Sequence, residues 1–185
     1  MQVKNPHYGA GITLLELMIV IAIIGIAATI ATPSLQNLLR NNQVASQNNE
    51  LVALVTFAKS QAIRNNEIWQ VDLYLDGNGW AGYVLPANRA PNDVEEAGCP
   101  EESGVVRCSR LQGLNLTSTE TRVQFNNRGF LVNASAWEGS GSDNPPGLSL
   151  RLEHPQCSPG QRQARTIEIL PTGQIVSQPA ECANG

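Results

Sequence analysis

Hydrophobic positions crowd the start of the chain and give way to sparser, periodic patterns further on. From Leu14 to Thr32 the sequence LLELMIVIAIIGIAATIAT carries one charged residue, Glu16. As a helix this run of about nineteen residues spans roughly 28 Å, close to the hydrocarbon thickness of a bilayer. Ahead of it, residues 1–11 are polar, with Lys4 and a closing glycine, Gly11. No small-residue cleavage site of a secretory signal follows Thr32. The apolar run is therefore expected to be retained, with any processing falling before it. The positive-inside tendency keeps Lys4 in the cytoplasm and sends the rest of the chain across.

Past Pro33 the apolar spacing changes. Leu35, Leu38, Leu39, Ala45, Leu51, Val52, Val55, Ala58 and Ala62 recur at three- and four-residue steps, with Gln36, Asn37, Arg40, Asn41, Gln47, Asn48 and Lys59 on the other face. That spacing predicts an amphipathic half-helix over 34–66 whose apolar stripe packs on a sheet. Pro33 lacks an N–H and crowds the preceding turn, so a kink is expected there. Asn65-Asn66 ends the pattern.

From Trp69 the period falls to two. Trp69, Val71, Leu73 and Leu75 alternate with Gln70, Asp72, Tyr74 and Asp76, and Trp80–Leu85 returns after Gly77-Asn78-Gly79. This predicts a hairpin. The same glycines match GxGxxG, but Tyr83-Val84-Leu85-Pro86 cannot open the helix that a dinucleotide loop needs. Further strands are expected at Val105–Arg107, at Arg122–Phe125 returning as Phe130–Val132 about Asn126–Gly129, and at Leu148–Leu152. A last hairpin joins Thr166–Leu170 to Ile175–Ser177 about Pro171-Thr172-Gly173-Gln174. Residues 87–104 and 133–147 read as loops. The fold class that follows is α+β: one long N-terminal helix, transmembrane then amphipathic, packed on antiparallel β-sheets.

Composition narrows the function. The chain has 185 residues, a net charge of −4 and 15% charged residues, a balance with no long-range pull on nucleic acid or anionic lipid. Cys99, Cys108, Cys157 and Cys182 contain no CxxC, so two disulfides and an oxidising compartment are favoured over zinc. Of the three possible pairings, Cys99–Cys108 and Cys157–Cys182 are preferred, since each closes a local loop dense in Pro and Gly. Asp93, Glu95, Glu96, Glu101 and Glu102 lack the spacing of a calcium loop and read as a solvated acidic loop. No metal or cofactor is expected. Catalysis is not expected either: GxSxG, HExxH and P-loop motifs are absent, and His154 stands alone between Glu153 and Pro155. Asn115 and Asn133 open N-x-S/T sequons, which mean little if the source is bacterial.

Glu16 remains unexplained by a plain anchor, because an ionised carboxylate in lipid costs at least a few kcal/mol unless it is paired. Together with its surroundings, Gly11-Ile12-Thr13-Leu14-Leu15-Glu16, it resembles the type III signal of type IV pilins and type II secretion pseudopilins. The resemblance implies that prepilin peptidase cuts between Gly11 and Ile12, and that Ile12, where the family usually has Phe, is then N-methylated. It implies that Glu16 neutralises the terminal amine of a neighbouring subunit, and Pro33 stands where many pilins carry a proline. Ala58–Arg64, the Phe125–Gly129 turn and the closing hairpin resemble the GspH/FimT/FimU branch, although Gln174 replaces a common basic residue.

The organisation so implied is a leader over 1–11, a transmembrane half-helix over 12–33, an amphipathic half over 34–66 and a periplasmic β-rich domain over 67–185. The function implied is that of a minor pilin in the priming or tip complex of a type IV pilus. Its partners would be other minor and major pilins or pseudopilins, with the inner membrane as its site before assembly. One alternative is a GspH-type pseudopilin of type II secretion. A second is a DNA-binding minor pilin using Arg162 and Arg165. Gly160-Gln161-Arg162-Gln163-Ala164-Arg165 departs from the GRxR spacing of such proteins, and net charge and the lack of nearby aromatics oppose it.

Overall fold

The computed structural model describes residues 12–76, 79–89, 105–118, 120–132 and 147–182. The leader through Gly11, the Gly77-Asn78 turn, the acidic loop with Cys99, and residues 133–146 with Asn133 lie outside them. Helix α1, Leu14–Asn65, takes in both the apolar run and the amphipathic stretch. The chain divides within this helix into two compact units, one up to Leu39 and one from Arg40 onward.

In the first unit, side chains from Leu14 to Thr32 are exposed throughout, and the stretch is apolar and long enough to cross a membrane. Thr29 and Thr32 turn their hydroxyls back to the carbonyls of Ile26 and Ala28, each at 2.7 Å. Neither hydroxyl therefore presents an unpaired donor to an apolar surrounding.

In the second unit α1 buries one face, made of Val44, Asn48, Leu51, Leu54, Val55, Ala58 and Ala62. It stops where Asn66 adopts a left-handed φ of 54° and the Glu67 N–H reaches the Ala62 carbonyl at 3.3 Å. That is a Schellman-type cap, with Asn as the residue that tolerates the left-handed position.

Two antiparallel sheets follow. The first has the order β3-β2-β1-β5, with β1 at Trp69–Asp76, β2 at Gly79–Pro86, β3 at Arg107–Gln112 and β5 at Arg122–Phe125. The second has the order β4-β6-β7-β8, with β4 at Asn115–Ser118, β6 at Leu148–Glu153, β7 at Ala164–Ile169 and β8 at Ile175–Ala180. The chain changes sheets after β3 at Gly113, whose φ of 68° favours glycine. Val71, Leu73, Val84, Leu111, Val123 and Phe125 of the first sheet, and Leu116, Leu148, Leu150, Leu152, Ile167 and Ile169 of the second, close one core with the helix face. The approach of α1 to β2 depends on Gly82, because a Cβ there would lie 2.4 Å from Leu54 Cδ2.

The far face of the first sheet is also covered, so β2 is buried continuously from Ala81 to Leu85. Polar groups on that face pair with one another. Gln124 donates to Gln70 and Gln70 to Asp72, both at 2.9 Å, while Arg122 Nε donates to buried Asp72 at 2.6 Å. The bond to Asp72 raises the Arg122 pKa, and burial, followed by the Asp72 charge, raises that of Tyr74.

Two turns with family-like sequences meet at the end of the helix. Gly129 and Gly173 have φ of 80° and 75°. A Cβ on Gly173 would fall 1.8 Å from the Gly129 carbonyl oxygen, and one on Gly129 would fall 2.9 Å from Lys59 Cε and Ile63 Cδ1. Lys59 Nζ donates to the Gly173 carbonyl at 2.8 Å and fixes the contact.

The structure departs from the sequence pattern in five places. Leu35, Leu38 and Leu39 do not join the sheet-facing stripe; they are 56%, 55% and 59% exposed, because they precede the part of α1 that the β-sheets cover. Asn48, expected on the polar face, is 1% exposed; Ser177 donates to its Oδ1 at 3.0 Å, which satisfies a polar group inside the core. The strand expected at Val105–Arg107 begins at Arg107 and runs to Gln112, and β4 was not signalled by the pattern. The return strand at Phe130–Val132 reduces to a single bridge, Phe125 to Leu131.

Candidate assembly site

The start of α1 is built by Thr13. Its hydroxyl accepts the Glu16 N–H at 3.2 Å and its carbonyl accepts the Leu17 N–H at 3.1 Å. Thr13 is thus the N-cap and Glu16 the third helical residue, the spacing of a capping box. A carboxylate in the first turn faces the positive end of the helix dipole. Thr13 was missed as a functional residue, although Thr-x-x-Glu ahead of an apolar run is the signal that marks it.

Ile12 is 75% exposed and directly precedes this cap; Gly11 lies outside the described residues. Glu16 is exposed too and sits less than two turns from Ile12 along the chain. The chemistry available is that of an apolar rod with one carboxylate near its tip. Within lipid or a protein bundle such a carboxylate needs a cation or several N–H donors. The local N–H groups of the first turn supply part of that, and an ammonium group from another chain would supply the rest.

At Pro33 the helical assignment continues on both sides. The ring nitrogen cannot donate to the carbonyl of Thr29, one turn earlier, so the backbone ladder lacks one bond there.

The three cysteines among the described residues act as crosslinks. Cys157 and Cys182 are joined, with Cα atoms 5.6 Å apart. Cys108 is also disulfide-bonded; Cys99, the partner expected for it, lies outside the described residues. Glu153 stands near the Cys157 and Cys182 sulfurs, but a disulfide offers no thiolate to a metal.

Arg162 and Arg165 are not brought together as an exposed pair. Arg162 is exposed in the loop before β7, whereas Arg165 is half-buried within β7, opposite Leu152 and Pro179. His154 follows the last residue of β6, and its Nδ1 accepts the Gln156 N–H at 3.1 Å. Burial, helped by the nearby Arg40 charge, lowers its pKa from the usual 6.5.

Comparison with known proteins agrees with this division of labour. The family model described as Type II transport protein GspH matches residues 47–173. The prokaryotic N-terminal methylation motif matches residues 8–32. A fimbrial protein of Pseudomonas aeruginosa is 48% identical over 58 residues, covering 31% of this chain and 38% of that protein. The type IV major fimbrial protein FimA of Dichelobacter nodosus is 38% identical over 78 residues, covering 39% of this chain and 50% of that one. The chain therefore spans half or less of the curated relatives it matches. In three dimensions the type IV minor pilin FimU of Pseudomonas aeruginosa superposes with a TM-score of 0.51 at 16% identity, over 75% of this chain and 90% of that one. That likeness concerns the fold.

Proposed function

The chain belongs to the GspH family of pilins and pseudopilins, and we propose that it is a minor subunit of a type IV pilus, stored in the inner membrane and drawn into the fibre by its N-terminal helix. The family is structural, and assembly with other pilins or pseudopilins follows from membership. The observation that carries the finer reading is the combination at residues 12–32: a methylation motif, an exposed apolar helix of membrane length, and Glu16 held one turn into it by the Thr13 cap.

In this reading prepilin peptidase cuts between Gly11 and Ile12, and Ile12 is methylated. The helix waits in the bilayer with the β-rich unit in the periplasm, where the disulfide chemistry is at home. On assembly the apolar surface passes from lipid to neighbouring helices. Glu16 then pairs with the amine of an adjacent subunit, which supplies the cation its position lacks. The chain supplies packing surface and no catalyst.

Processing and assembly are tested separately. Gly11→Ala should leave the long form on a gel; appearance of the short form would overturn the cleavage position. Glu16→Ala should be processed and inserted but recovered from sheared fibres at a small fraction of the wild-type level. Wild-type recovery would overturn the pairing. A second reading, a pseudopilin of type II secretion, draws on the GspH match itself. A deletion strain that keeps twitching motility but loses secretion of exported proteins would select it.

A further inference from the structure

The hold of the β-rich unit on the turn Arg40–Gln43 of α1 rests on few contacts. The helix face is buried from Val44 onward. Between Arg40 and Gln43, the side-chain bonds among the described residues are from Arg40 to the Gln156 side chain and from Gln43 Nε2 to the Gln112 carbonyl at 3.2 Å. Gln156 lies on the β6–β7 connection, residues 154–163, a ten-residue loop joining two adjacent antiparallel strands.

That connection is braced far more heavily than its exposure requires. Its two ends are tied by the His154 N–H to the Gln163 carbonyl at 3.1 Å. Internal turns follow, from the Cys157 N–H to the His154 carbonyl at 2.9 Å and from the Gln161 N–H to the Ser158 carbonyl at 3.0 Å. The C-terminal tail clamps it from outside. The Cys157–Cys182 bond and the Cys182 N–H to the Gln161 carbonyl at 2.9 Å pin residue 182 against it, while Arg151 of β6 holds the neighbouring Glu181 carbonyl. Gln156 is further oriented by donating its own N–H to His154 Nδ1. A ten-residue connection left to itself samples many conformations, and a crosslink removes most of them.

We propose that the disulfide-braced connection 154–163 is a latch on α1, holding the turn Arg40–Gln43 to the β-rich unit through Gln156. Release of the latch loosens that turn at Arg40 and leaves the Gln43 contact and the packing from Val44 onward in place. The length of helix carried by the domain is then set by a side chain far away in sequence, and the brace that positions it is covalent.

Hydrogen exchange on the full-length chain in detergent micelles tests this. Gln156→Ala removes the contact and leaves the disulfide. It should raise exchange of amides 40–44 by roughly fivefold or more, the factor expected for losing one typical hydrogen bond, with amides 48–62 unchanged. Cys157→Ser with Cys182→Ser should do the same and also raise exchange over 154–163. Gln156→Glu, which offers Arg40 a charged acceptor, should slow exchange of 40–44 instead. The latch is overturned if Gln156→Ala leaves 40–44 at the wild-type rate, or if 48–62 accelerate equally. If the double serine variant unfolds, the two Gln156 variants decide the question alone.

Discussion

Helix α1 is one element with two kinds of surface. Up to Leu39 its aliphatic side chains face outward on every side; from Val44 onward one apolar face, made of Val44, Leu51, Leu54, Val55, Ala58 and Ala62, is among the least exposed surfaces in the molecule, while Ile63 stays outside. The residue types hardly differ. What differs is the partner: the β-rich unit supplies one within the chain, and the first unit has none among the described residues. Burial of apolar surface contributes to folding only where the chain itself covers it. The same leucine therefore stabilises the fold in one half of the helix and serves association in the other.

The largest effect that could break this comparison is a matched pair of truncations. Leu51→Ala leaves a cavity among helix and sheet side chains and should cost about 2–5 kcal/mol of unfolding free energy. Ile24→Ala, at a site 60% exposed, should cost less than about 0.5 kcal/mol in the same urea titration in mild detergent. Equal losses would mean that the exposed half contributes to the fold of the chain after all.

A smaller effect separates the two units from the other side. Thr13→Ala removes the N-cap that receives the Glu16 N–H and should destabilise the first turn by about 1 kcal/mol. Amide exchange at residues 14–18 should rise, while the urea midpoint of the β-rich unit stays where it was. A shifted midpoint would show that the two surfaces are energetically linked.

How much of this could be read in advance follows the same division. The apolar run, the Gly-Ile-Thr-Leu-Leu-Glu signal and the period-two strands are local patterns, and they located the helix, most strands and the family. The errors fall where a distant segment decides the outcome. Asn48 looks like a solvent residue until Ser177 arrives as its partner, and Leu38 looks like core until no sheet covers it. Strand β4 is short and sits at a sheet edge beside β6, about thirty-five residues later in sequence, so its pairing has no local signature. The glycines at 129 and 173 show as turns in sequence, but their mutual contact over Lys59 does not. At the site, Glu16 was legible as an anomaly and Thr13 could have been found from the capping spacing. The Arg40–Gln156 contact could not, since neither residue type carries a signal of its own.

The smallest effect concerns acid. His154 is the histidine among the described residues, and it belongs to the second unit. Partial burial, followed by the Arg40 charge, lowers its pKa below the usual 6.5, so the unfolded chain takes up a proton more readily than the folded one. The sign follows from linkage: stability is level above about pH 6.5, declines as pH falls below that value, and levels again beneath the folded pKa. Protonation of Nδ1 also removes the acceptor for the Gln156 N–H. His154→Gln should flatten this part of the profile, seen as a smaller difference between urea midpoints at about pH 7.5 and about pH 5. Because the ring is only partly buried, solvent screening keeps the change below those of the Leu51 and Thr13 variants. An unaltered profile in the variant would place the acid response of the β-rich unit on its carboxylates instead.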